Sequence, residues 1–129
     1  MINNKINGGE KPMELEVKES IKLEEGKREG LIENITYRDI EIKGKKVTYA
    51  DIEIKDKESG ITLRYGASAY ISEKSKLGKV LANFIEIKTG LKIDPEKILV
   101  GKEVTYMTMN EKTDNGEFVK IVDNSIKPK

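Results

Sequence analysis

Among the cations and aromatic rings of this sequence, eight are the candidates to hold a polyanion or a flat ring: Arg38, Lys43, Lys45, Lys46, Tyr49, Arg64, Tyr70 and Lys112. Lysine and arginine neutralise phosphates and release their counterions. A tyrosine ring offers a face on which a base can stack, a contact worth about 1–3 kcal/mol per base. Three of these lysines crowd the short segment KGKK, residues 43–46. Reactive chemistry has much less to stand on. The chain has no Cys and no His, so thiolate catalysis and Ser–His pairs have no residues to run on, and zinc loses its usual ligands. The segments NGGEK and IKGKK lack the spacing of a phosphate-cradling P-loop. The expectation is a binding protein that is not an enzyme and uses no cofactor or metal.

Those eight residues can act together only if strands bring them to one face. From Leu31 to Ile71 apolar and polar residues mostly alternate, the period of a half-buried strand. LIENITYRDIEI (31–42) reads as strand one, and the slip in its apolar phase between Ile35 and Ile40 predicts a bulge or bend near Tyr37–Asp39. VTYADIEI (47–54) is strand two, with Ala50, Ile52 and Ile54 inward and Val47, Tyr49, Asp51 and Glu53 outward. ITLRYGASAYI (61–71) is strand three; its apolar phase, which includes Tyr65, turns Thr62, Arg64, Gly66, Ser68 and Tyr70 outward. Tyr49 and Arg64 therefore share a face, with Tyr70 at its edge and Arg38 at the bend of strand one. The lysines at 43, 45 and 46 crown the first turn, and Lys112 sits near the last.

ISEKSKLGKVLANF (71–84) breaks the alternation. Leu77, Val80, Leu81, Phe84 and Ile85 recur at helical spacing, with Ser72 or Ser75 as cap and Gly90 as stop. Asp94-Pro95 starts one further short turn through Leu99. KEVTYMTMNE (102–111) and EFVKIVDNSI (117–126) form a hairpin about Asp114-Asn115-Gly116. In the first of these, Val104/Tyr106 and Met107/Met109 compete for the core. The expected fold is mainly β: three strands, one helix and a hairpin, the element order of an OB-fold, a five-stranded Greek-key barrel. The helix would cover one end of the barrel. Residues 1–12, polar and carrying Gly8-Gly9 and Pro12, read as a flexible tail ahead of a domain over 13–129.

The pattern also resembles a known group. Glu29-Gly30, Ile32, Ile35 and Arg38, then Tyr49, Ile52 and Ile54, SEKSKLGKVL (72–81), Val100-Gly101-Lys102 with Val104, and Asp114-Asn115-Gly116 with Phe118 resemble small OB-fold proteins of phages and other mobile elements. Many of those are regarded as single-stranded DNA-binding proteins. The likeness spans residues 29–128 and implies both the fold and nucleic-acid binding. Such folds bind single strands on the outer face of strands two and three, flanked by the loops after strands one and four.

Bulk properties bound the reading. At 129 residues the chain suits one domain. It has no apolar run near the roughly 20 residues of a membrane span and no visible secretory signal, so a cytoplasmic location is expected. The net charge of +1 advertises no polyanion partner, although a local groove can be basic on a neutral chain. The expected partner is single-stranded DNA, with RNA as the second candidate, bound with little sequence preference. Asp51 and Glu53 on the same face favour the rival reading, an OB-type protein-interaction or replication-accessory module without its own nucleic-acid affinity.

Overall fold

The computed structural model describes Leu15 and residues 25–129. The expected tail over 1–12 lies outside the described residues, as do residues 13, 14 and 16–24. In chain order the elements are β1 (Gly26–Ile42), β2 (Lys45–Asp56), β3 (Thr62–Ser68), α1 (Lys76–Ala82), α2 (Pro95–Leu99), β4 (Glu103–Thr113), β5 (Gly116–Ile121) and β6 (Lys127–Pro128). They build one antiparallel sheet in the order β3-β2-β1-β4-β5, with β6 alongside β4. The protein is mainly β, as its alternation predicts.

Strand β1 organises the sheet because it is long enough to serve two partners. Gly26–Leu31 pairs with β4, and Gly30–Ile42 pairs with β2. Ile32 and Ile35 both reach the core although three residues apart. A register shift between Ile32 and Asn34 allows it, because the extra residue of a bulge resets the period-2 alternation. The bulge is therefore at Glu33, and the ladder runs unbroken past the expected bend at Tyr37–Asp39. The later phase slip has another cause. From Thr36 onward the strand leaves the core, and its side chains are exposed or half-buried on both faces. Nothing there enforces a period.

The core gathers Ile32, Ile35, Ala50, Ile52 and Ile54 with Leu63, Tyr65 and Ala67 of β3, all 8% exposed or less. Leu77, Val80 and Leu81 of α1 close over them with Leu99 of α2, and each such burial contributes about 1.5–3 kcal/mol. Val104 and Tyr106 win the competition on β4, while Met107 and Met109 stay near half exposed. Ser75 caps α1, its hydroxyl accepting from the Gly78 amide at 3.0 Å. The helix is shorter than its apolar stripe. It stops at Ala82, where the Asn83 side chain turns to donate to the Ile126 carbonyl at 2.8 Å, leaving Phe84 and Ile85 half-buried beyond it. Asp94 caps α2 as its Pro95 neighbour predicts.

Two features differ from the expected architecture. The described residues form six strands, the sixth being the short β6. The sheet also does not close: β3 and β5, at its two ends, approach but share no backbone ladder. Side chains bridge the seam there. The Tyr65 hydroxyl donates to Asp123 at 3.0 Å, and Lys76 lies 4.6 Å from the Tyr65 ring centroid while donating to the Gly66 carbonyl. Among the described residues no helix is long and apolar enough to cross a membrane.

Candidate nucleic-acid interface

Strand register sets the outer face of β1–β3 as three rows. Arg38, Tyr49 and Ser68 form one; Thr36, Asp51 and Gly66 the next; Asn34, Glu53 and Arg64 the third. Arg38, Tyr49 and Arg64, expected to cooperate, thus share one surface, with the Asp51–Gly66 row between Arg64 and the other two. Their partners are as specific as their placement. Arg38 donates from Nε to Asp51 Oδ2 at 2.6 Å and from Nη2 to Oδ1 at 3.4 Å. Arg64 donates to Glu53 at 3.2 Å. The bond to Asp51 raises the Arg38 guanidinium above its ordinary pKa.

Asp51 belongs to the outward row as its phase predicts, yet it is only 1% exposed. Arg38 covers it from one side. From the other, Gly66 lets the β3 backbone sit close, since a Cβ there would lie 2.9 Å from Asp51 Oδ1. Arg38 also stands 5.3 Å from the Tyr49 ring centroid, a cation–π distance. One face of that ring is consequently occupied by a guanidinium. A planar ligand would meet the pair as a unit, because guanidinium planes also stack on bases.

Beyond these rows β1 and β2 continue as a two-stranded arm, Asp39–Ile42 against Lys45–Thr48. Its outer face carries Ile40, Val47 and Ile42 between Tyr49 and the tip. At the tip Lys43 and Gly44 both adopt positive φ, +51° and +78°, the conformation of the hairpin turns that match strand twist. Glycine takes this region freely; for Lys43 it costs about 1–2 kcal/mol. Lys45 falls on the face of Tyr49, whereas Lys46, beside Glu41, points to the opposite face.

The other two expected residues lie elsewhere. β3 ends at Ser68, so Tyr70 is not in its outward row; it is 65% exposed and lines a groove of about 340 Å³ with Ile71 and Leu91. Lys112 shares a row with Glu117 near the β4–β5 turn, on the side opposite Phe118. The sequence reading missed three further residues. Phe118, Lys120 and Lys76 line a crevice of about 300 Å³ at the β3–β5 seam, together with Arg64 and Gly66. The inward phase of Val119 and Ile121 could have revealed the first two. The position of Lys76 depends on how α1 docks, for which the sequence carries no signal.

A second polar cluster, around Arg28 and Asp56, was also not anticipated. Arg28 grips Asp56 through two parallel bonds of 2.8 and 2.7 Å. Tyr106 donates to the same carboxylate, and Ser59 adds its amide and hydroxyl at 3.0 and 2.8 Å. Arg28 first, then Tyr106 and Ser59, hold the Asp56 carboxyl well below the usual range against the cost of burial. Burial and the bond to Asp56 push the Tyr106 phenol up. Every oxygen of Asp56 is engaged, and the cluster pins the β2–β3 turn to β1 and β4. That is a structural clamp.

Among the described residues no group of three or more carboxylate, His or Cys side chains is placed to hold a metal ion. Comparison of the sequence with protein-family models and with curated proteins found no match.

Proposed function

We propose that this protein is an OB-type domain that binds single-stranded nucleic acid, DNA before RNA, with little sequence preference. The strand order β3-β2-β1-β4-β5 is that of a Greek-key barrel cut at its β3–β5 seam, and the helices fall between β3 and β4. The observation that carries the functional reading is the outer face of β1–β3. There Arg38 and Tyr49 share one row and Arg64 stands two rows away, across the Asp51–Gly66 row, beneath an arm tipped with lysines. Cations on that face track phosphates, and the Arg38–Tyr49 pair stacks a base. Lys43 adds support: a cation held in a conformation that favours glycine is a strained feature of the kind that collects at functional sites.

A second reading rests on the same rows. Both arginines there are matched by carboxylates, and such compensated lattices are common on surfaces without a polyanion ligand. On that reading the face is a protein-interaction surface. Retention on a single-stranded DNA column separates the two. The nucleic-acid reading predicts retention at low salt and release as salt rises; passage without retention at low salt favours the interaction module.

A further inference from the structure

At the β3–β5 seam the structure holds an aromatic ring that is half exposed. Phe118 is 51% exposed, in the row of Glu111 and on the same side of the hairpin as Lys120. It lines the crevice of about 300 Å³ shared with Arg64, Gly66, Lys76 and Lys120, a volume at the lower end for a small-ligand site. Three cations approach this space. Each has a carboxylate neighbour: Arg64 has Glu53 at 3.2 Å, Lys120 has Glu111 at 3.4 Å, and Lys76 has Asp123 at 3.6 Å. Lys76 is further fixed by the Gly66 carbonyl and the Tyr65 ring, so its ammonium is set at the crevice before any ligand arrives.

We infer that this crevice is a second stacking position, in which Phe118 takes one base and Lys76 and Lys120 take the flanking phosphates. The inference rests on the nucleic-acid reading and extends it to a path. Arg64 belongs both to the crevice lining and to the row beside Asp51 and Gly66. A strand lying on Arg38 and Tyr49 therefore crosses β3 at Gly66, which adds no side chain of its own beside Asp51, and reaches Phe118. The path runs from the arm over β2 and β3 to β5.

The test is ultraviolet crosslinking of an iodouracil-substituted single strand, with peptide mapping, alongside anisotropy titration of Phe118→Ala, Phe118→Leu and Phe118→Tyr. Half-exposed on an edge strand, position 118 tolerates substitution, and the leucine variant keeps the apolar bulk if the alanine variant unfolds. A crosslink at Phe118, weakening of about five- to a hundredfold on loss of the ring, and recovery with tyrosine are expected. A crosslink at Tyr49 with Phe118→Leu binding as wild type overturns the second position and leaves the nucleic-acid reading standing. A wild-type protein that binds no single strand overturns both.

Discussion

At the residue scale the central feature is that cations and carboxylates alternate across one face. Arg64 and Glu53 are both accessible to solvent, so their pair contributes little to stability, about 0–1 kcal/mol. Its consequence for binding is larger, since a phosphate must compete with Glu53 for the guanidinium. Glu53→Gln should therefore raise affinity for a single strand several-fold at low salt, a gain that shrinks as salt screens it. An unchanged or lower affinity would show that Arg64 does not meet phosphate. Arg64→Ala should weaken binding and reduce the salt slope by about one contact, whereas Tyr49→Ala should weaken it with little change in slope. If neither variant differs from wild type in salt-dependent titrations, the face assignment is wrong. The Arg38–Asp51–Tyr49 arrangement was half legible: strand phase places Tyr49 and Asp51 outward, but it leaves Arg38 at a presumed bend and cannot reveal that Gly66 makes room for Asp51 to be buried.

At the scale of elements, what the sequence reveals depends on whether the core enforces a period. β2 and β3 read cleanly because Ala50, Ile52, Ile54, Leu63, Tyr65 and Ala67 all meet the core. The end of β1 did not, because the arm has no core to face. The α1 stripe overran its helix because Phe84 and Ile85 are half-buried from a non-helical connection. Tertiary anchoring through Asn83 overrides the spacing. The Arg28–Asp56–Tyr106 clamp was invisible, since it joins residues far apart in sequence across three strands. Its removal is the clearest stability test. Asp56→Asn should cost about 3–5 kcal/mol by removing the carboxylate that buried Arg28 grips. The depressed carboxyl adds a pH signature. Its stabilisation is complete above the unfolded carboxylate value near pH 4 and is lost as pH falls through the lower folded value. The stability gap between wild type and variant in urea unfolding should thus narrow from about pH 7 to about pH 3. A variant as stable as wild type at neutral pH would contradict the clamp.

At the scale of the whole molecule, near-neutrality and a basic arm coexist. The net charge of +1 predicts no long-range steering toward a polyanion, so association should be slower than in strongly basic binders and affinity should reside in local contacts. The open seam fits that picture. A sheet whose ends meet only through side chains leaves a crevice beside the candidate face, where a sheet closed by a backbone ladder would have none. Element order was enough to anticipate a mainly β sheet with helix after the third strand. It gave no warning that the ladder stops short, because the gap depends on how Tyr65, Lys76 and Asp123 fill it. The most direct test of the account is an anisotropy titration of the wild-type chain against a labelled oligo-dT of about 20 nucleotides, long enough for one site. It should be run at low and near-physiological salt with duplex DNA as competitor. Saturable binding that weakens with salt and resists the duplex is the predicted result. A flat titration at low salt, repeated with RNA, would contradict it and leave the face to a protein partner.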